Sequence, residues 1–292
     1  MKNVIEENMN ITRARIISWM GKESVVEKRL KAHNRQVDWL LERGVKPLVF
    51  AQEWKNEWYR SDVDYIKWTG DRLLPGAARN HLLKEFYTTD ENFSIFADDD
   101  SILYDDVQHC DGKNFIPLFN NIDIEELNNI DAFLPISPRQ SPFSEMYKQN
   151  EDKLKKYLWF KLAHRAKGSL FFLRNMKKFY NKEYYIEDEL FKRPDGTMIG
   201  GEDNHFNLTL LKDGYGCYEL QNILLNELAG NSSTWVDDDS ERMTDELYTI
   251  LEKSFDLPRK GNRLDFSNIK KIGKKPKDML VCKIKEKGFF DL

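Results

Sequence analysis

An open α/β sheet flanked by helices, with a helical and basic C-terminal extension, is the fold class that the sequence predicts. Over roughly the first hundred residues, apolar runs alternate with helix-periodic segments in the order strand, helix, strand, strand, helix, strand. An acidic cluster, Asp98, Asp99 and Asp100, stands where the last of these runs ends. From Lys260 to Gly288 the chain carries ten Lys/Arg against three acidic residues, unlike the acidic remainder.

Each element follows from local pattern. "RIISWM" (15–20) is a near-continuous apolar run with β-branched residues and predicts a buried strand. The next segment opens on a capping box, Ser24 with Glu27, and aligns Val26, Leu30, His33, Val37 and Leu40 on one face before Gly44 stops it. His33, on that apolar face, is expected to be a partly buried core residue. "VKPLVFAQ" (45–52) and "VDYIKW" (63–68) predict two more strands. The turn "TGDRLLPG" leads into the helix "AARNHLLKEFY", with Ala78, Leu82 and Phe86 on its core face. "FSIFA" (93–97) is the strand that runs into the aspartates.

Residues 107–145, with four prolines, read as irregular. "NEDKLKKYLWFKLAHRAKG" predicts a helix from the spacing of Leu154, Leu158, Leu162 and Arg165. "SLFFLRN" (169–175) predicts a strand, "GGEDNHF" the start of a helix from Asp203 to about Leu211, and "CYELQNILLNEL" (217–228) a strand with an extension. "DSERMTDELYTILEKSF" (239–255) predicts a helix with Met243, Leu247, Ile250 and Leu251 as its apolar stripe.

Composition narrows the class of function. With 292 residues and 40% apolar content, the chain is long and apolar enough for a sizeable core. The net charge of −4 neither demands nor excludes a polyanionic partner. Cys110, Cys217 and Cys282 are widely spaced and form no C-x-x-C pair, which argues against a disulfide framework or a cysteine zinc site. The first residues lack the apolar core of a signal peptide, and no window approaches the roughly 20 apolar residues of a membrane span. A soluble, cytoplasmic protein with no membrane partner is the expectation.

Three short motifs carry chemistry. Asp98 and Asp100 form D-x-D, two hard oxygen ligands able to converge where the chain turns off a strand. Such a pair suits Mg2+ or Mn2+, ions that keep several waters and are completed by substrate phosphates. An acidic triplet is also what a solvated turn looks like; its place at a strand end, where α/β sheets take their ligands, favours the metal reading. In "GGEDNHF" (200–206) two glycines precede Glu202 and Asp203, carboxylates favoured at a helix N-terminus, where Asp is also an ordinary cap. In "PGAARNHL" (75–82), Arg79 stands at the start of a helix beside a Gly-containing loop, able to meet a diphosphate or simply solvated.

In that order and on those elements, "GAARNHL", "FSIFADDDSI" and "GGEDNHF" resemble the GT-A glycosyltransferases, in particular the large inverting family that opens with a nucleotide-binding half. The resemblance covers about residues 12–225. It implies a Rossmann-like catalytic domain over 1–230, with a nucleotide-binding half at about 12–106 and an acceptor half at about 107–230. Residues 231–292 are then a C-terminal helix and basic tail. The implied reaction moves a hexosyl or pentosyl group from a nucleotide donor, expected to be UDP-linked, to an acceptor hydroxyl with a divalent metal, Mn2+ or Mg2+. Asp98 would approach the ribose or the metal, and Asp100 would ligate the ion. Asp203 would be the catalytic base and Glu202 would orient the acceptor. Arg79 would lie near the nucleotide, and Ser18, Trp19 and Glu53 would line its pocket. Many GT-A enzymes add a late histidine ligand; no histidine follows His205 here, so the third metal ligand stays open between His205 and another side chain.

A small GT-A enzyme with a basic tail is similar to the phage enzymes that glycosylate hydroxymethylated cytosine in DNA. DNA is therefore the leading acceptor and partner, contacted through Lys260–Gly288, with the host cytoplasm as the place of action. A glycan or polysaccharide acceptor, a sugar nucleotidyltransferase and a non-catalytic binding protein stay open as alternatives. A second acidic triplet in "WVDDDSE" (235–241) precedes a strong helix and is better explained as capping charge.

Overall fold

A computed structural model describes residues 11–21, 23–105, 132–136, 157–162, 169–196, 198–228, 240–261, 263–265 and 279–283. Strands β1 (Arg13–Trp19), β2 (Lys46–Gln52), β3 (Asp64–Trp68) and β4 (Phe93–Asp98) form a parallel unit in the order β3-β2-β1-β4. Helix α1 (Val26–Leu41) joins β1 to β2, and α2 (Pro75–Tyr87) joins β3 to β4. The chain leaves β1 on one side and returns on the other, so the carboxyl ends of β1 and β4 flank a switch-point crevice, where such sheets bind ligands.

The period of two along β4 sorts its side chains between the two helical layers. Phe96 meets Phe86 of α2 edge-on at 5.7 Å, and Asp98 meets Arg79 of α2. Asp99 turns the other way and meets Arg29 of α1. On β1, Arg15 is fully buried on the α2 side. Its charge is compensated by Glu85 and Glu91, each at 2.6 Å, and its guanidinium lies 4.7 Å from the Phe86 ring centroid. In the two layers about this sheet Ile16, Val49, Phe50, Leu82, Phe86, Ile95 and Phe96 are wholly buried. Each such side chain contributes roughly 1.5–3 kcal/mol.

The remaining strands extend this unit from β4. They are β5 (Ser101–Asp105), β6 (Ala132–Ile136), β7 (Tyr157–Leu162), β8 (Leu170–Arg174), β9 (Cys217–Glu227) and β12 (Met279–Lys283). β8 runs antiparallel to β4, and among the described residues the sheet reads β12-β7-β9-β6-β8-β4-β1-β2-β3, with β5 paired to the far part of β9. The sheet is thus open and mixed. The short helix α3 (Met176–Tyr180), α4 (Glu202–Lys212) and α5 (Ser240–Phe255) complete the chain with a two-residue pair, β10 (Arg259–Lys260) and β11 (Arg263–Leu264). No described helix is long and apolar enough to cross a membrane.

Four local expectations are corrected. Tyr157–Leu162 is a strand, not part of a helix; it is paired on one side with β9 and on the other with β12. Positions four apart share a face in a strand as well as in a helix, so the leucine spacing could not separate the two. Ala132–Ile136 is a strand inside the segment read as irregular; Pro135 sits where the register to β9 shifts, the kind of site where a sheet tolerates proline. Ser24 does not cap α1, because a 3-10 turn, Glu23–Val25, precedes it and Val25 takes the cap position without a side-chain bond. Part of the basic tail, 279–283, is an edge strand rather than a free extension. Residues 106–131, 137–156, 229–239 and 266–278, including the second acidic triplet, lie outside the described residues.

His33 is buried beyond expectation, at 0% exposure, with its ring 5.0 Å from Trp54 and no hydrogen-bond partner for either nitrogen among the described residues. Burial lowers its pKa from 6.5 to about 4. The unfolded chain therefore takes the proton first. Stability is full above pH 6.5 and falls as the pH drops toward 4, by up to about 3 kcal/mol from this group. Urea unfolding of His33→Leu should lose about 2 to 3 kcal/mol less than wild type between pH 7 and pH 4.5. Equal losses in both proteins would place the acid sensitivity elsewhere.

Candidate functional site

The crevice is built on a pinned turn. Gln36 of α1 donates from Nε2 to the carbonyl oxygens of Asp98 (2.7 Å) and Ser101 (2.6 Å), bracketing the two residues between β4 and β5. Asp99 is fully buried. It accepts from Ser18 Oγ at 2.6 Å and Arg29 Nη2 at 2.6 Å, while Trp54 Nε1 donates to Ser18 Oγ at 3.0 Å. The middle aspartate thus ties the turn to β1 and α1. Ser18, predicted to line the nucleotide pocket, is 2% exposed, and its hydroxyl is engaged in that tie. Backbone bonds hold the turn from the other side: Asp98 N to Ser169 O (2.8 Å) and Leu228 N to Asp100 O (2.7 Å).

Arg79 joins the two motif sets. It lies in α2 at 3% exposure, donates from Nη2 to Asp98 Oδ1 at 2.5 Å, and its Nη1 stands 3.6 Å from Glu202 Oε1 of α4. Burial lowers the guanidinium pKa, but Asp98, Glu202 and Asp203 outweigh it and the net direction is upward. Burial pushes the Asp98 carboxyl up to about 6, against the opposing pull of Arg79, although 33% of its side chain still faces the opening. The residue expected near a nucleotide is therefore turned onto the carboxylates that frame the crevice.

Glu202 and Asp203 open α4 behind Gly201, whose φ of 98° is open to glycine at little cost. A Cβ there would fall 2.4 Å from Leu247 Cδ1 of α5, a second reason for glycine. Asp203 Oδ1 accepts from Asn204 N at 2.7 Å. Another carboxylate, Asp188, accepts from the amides of Gly76 (3.1 Å) and Ala77 at the start of α2; burial first, then Glu202, raises it to about 6. The opposite wall holds Trp19, with the Arg72 guanidinium 3.4 Å from its ring centroid. Glu53 follows β2 at φ 55°, exposed, and its carboxylate and the Trp19 indole nitrogen both lie against Gly21.

The structure thus brings Asp98, Arg79, Glu202 and Asp203 to one place and sets Trp19 and Glu53 together on another wall. Among the described residues no three His, Cys, Asp or Glu side chains form a metal cage. Asp98 and Asp100 are hard oxygen donors on one turn, in a site where carboxylates outnumber the guanidiniums of Arg29 and Arg79. That donor set fits a divalent ion completed by phosphate and water. His205 packs against Phe191 (5.8 Å) and Phe255 (4.9 Å), and burial lowers its pKa to about 4, as in a core histidine. Arg29, Gln36, Trp54, Arg72 and Asp188 went unread in the sequence, since each acts on a partner far from it along the chain or beside it only in space.

No protein-family model matches the chain, and no curated protein matches it in sequence. Solved structures similar to it in shape include the mannosyltransferase PcManGT from Pyrobaculum calidifontis in complex with GDP-Man and Mn2+ (13% identity, 85% of this chain, 64% of that chain, TM-score 0.47). Another is a putative nucleotide-diphospho-sugar transferase from Desulfovibrio desulfuricans G20 (10% identity, 82% of this chain, 96% of that chain, TM-score 0.41). A third is the glycosyltransferase GlyE of Streptococcus pneumoniae TIGR4 (13% identity, 85% of this chain, 64% of that chain, TM-score 0.41). The chain spans less than two thirds of the length of PcManGT and of GlyE. All three TM-scores lie below 0.5, so function is read from the crevice itself.

Proposed function

We propose that the protein is an inverting, metal-dependent glycosyltransferase of the GT-A type, moving a sugar from a nucleotide diphosphate donor, UDP-linked, to the hydroxymethyl group of modified cytosine in DNA. The observation that carries the reading is the Arg79 bridge: one buried guanidinium holds Asp98, at the switch point of the parallel strands, beside Glu202 at the start of α4. Motifs about a hundred residues apart are thereby assembled into one crevice, a donor side facing an acceptor side.

The chemistry follows from that placement. The donor base and ribose are held at the wall of Trp19, Arg72 and Glu53. A divalent ion, when bound, would be held by Asp98 and Asp100 and would supply positive charge to the leaving diphosphate. Asp203 takes the proton from the acceptor hydroxyl as its oxygen bonds to the anomeric carbon, and the bond from that carbon to the diphosphate breaks with its electron pair leaving on the nucleotide. Charge at the sugar is greatest midway, in an oxocarbenium-like transition state. Glu202, tethered to Arg79, orients the acceptor.

The basic segment 260–288 supports a nucleic-acid acceptor, because ten cationic side chains suit phosphate contacts whose strength falls with salt. The target hydroxymethyl group is open in the major groove or is reached by flipping its nucleotide, at a cost of a few kcal/mol.

Three outcomes are expected. Asp100→Ala should abolish Mn2+-dependent binding of UDP by calorimetry; unchanged binding would remove the metal from this turn. Asp203→Asn should keep that binding while transfer falls by about 10²-fold or more; full activity would reassign the base. A panel of labelled nucleotide sugars, incubated with hydroxymethylated and unmodified DNA, should label only the modified duplex. Label on neither, with release of pyrophosphate instead of UDP, would indicate nucleotidyl transfer.

A further inference from the structure

Residues Tyr184–Asp188 lie along α2 as a laced strap. Tyr87 Oη donates to Tyr184 O (3.0 Å) and accepts from Tyr184 N (3.2 Å). Asn80 Nδ2 donates to Ile186 O (2.8 Å), and Asn80 Oδ1 accepts from Ile186 N (2.8 Å). Asp188 accepts from the Gly76 and Ala77 amides. The anchors on the helix, 76, 80 and 87, fall on one face, and those on the strap alternate, as an extended chain requires. The lengths agree. Eleven helical steps rise about 16 Å, and four extended steps about 13 Å. Gly76 is needed for this fit, since a Cβ there would stand 2.3 Å from Asp188 Oδ1 and 2.5 Å from Ile186 Cγ2.

The strap then leads through a 3-10 turn, Glu189–Phe191, to α4, where Glu202 returns to the same end of α2 and meets Arg79. Both ends of the intervening segment are therefore pinned within one turn of α2, one by Asp188 on its free amides and the other by Glu202 on the guanidinium. Helix N-termini hold a carboxylate through just such orphan amides. Here the carboxylate comes from the half of the chain that also supplies Glu202 and Asp203.

We propose that Asp188 is a positioning residue: by capping α2 from the strap, it sets the first turns of that helix and so the Arg79 bridge between Asp98 and Glu202. It contacts none of the proposed reacting groups. Its effect should therefore appear in the rate of transfer, through the carboxylates that Arg79 holds.

The test compares Asp188→Asn, which keeps the shape but sets an amide N–H against a helix N–H, with Tyr87→Phe, which removes both strap bonds at the far end. NMR signals of the Arg79 guanidinium protons, protected in wild type, should broaden in Asp188→Asn and persist in Tyr87→Phe. Hydrogen exchange over 76–79 should rise only in Asp188→Asn. With a labelled nucleotide sugar and an acceptor, Asp188→Asn should lower kcat about tenfold or more, and Tyr87→Phe should stay within twofold. Equal loss of kcat in both variants in proportion to thermal stability, or unchanged Arg79 signals in Asp188→Asn, would overturn the proposal. The kinetic arm rests on the transferase reading. A wild-type protein that turns over no nucleotide sugar would sink that reading, and the NMR and exchange arms would still decide the role of Asp188.

Discussion

A guanidinium buried at 3% exposure has to be compensated where it stands, and that constraint organises the crevice around Arg79. Its partners come from different parts of the chain: Asp98 from the end of β4, Glu202 from the start of α4. Removing either would leave charge uncompensated in a poorly solvated place, which typically costs several kcal/mol. The parallel unit and α4 are therefore bound to each other through this side chain, beside the β4–β8 pairing and the strap on α2. Carboxylates still exceed cations there, and burial holds Asp98 near 6, so a bound cation would add charge that the protein does not supply.

The aspartate triplet divides its labour by strand alternation. Asp98 faces α2 and the crevice, while Asp99 faces α1 and is consumed in holding Ser18 and Arg29. A fully buried carboxylate with two short charge-assisted or hydroxyl bonds is a rigid peg. Gln36 adds a second peg through the carbonyls on either side of the turn. The position of Asp98 is thus set by contacts on the face of the sheet away from it, and the turn can present its oxygens to solvent without being loose.

Much of this was legible in the sequence where the signal was local. The four parallel strands and both crossover helices announced themselves through apolar runs and helical spacing, and their order alone placed the acidic turn at a strand end. What could not be read was set by partners distant along the chain. Tyr157–Leu162 is a strand because β9 and β12 flank it, not because its own spacing excludes a helix. Pro135 hid a strand by sitting at its register shift. Arg79 was singled out by its place at the start of a helix, but its orientation could not be read, because it depends on Glu202 arriving from α4. Asp188, Arg29 and Arg72 gave no local signal at all, since a single charged residue becomes informative only through what it meets.

The sheet order bears on the acceptor. Among the described residues β12 pairs with β7 at the edge farthest from β3, so the two ends of the sheet belong to different parts: β3 to the parallel unit, β12 to the strands beyond β4. The basic tail is anchored through β12 on the latter side. Of the ten cationic residues of 260–288, Lys260, Arg263 and Lys283 lie in described strands. A long polyanion spans many charges at once and gains most from that arrangement, whereas a small glycan meets few of them. Under the proposed function, charge count favours a nucleic acid over a short sugar as the acceptor.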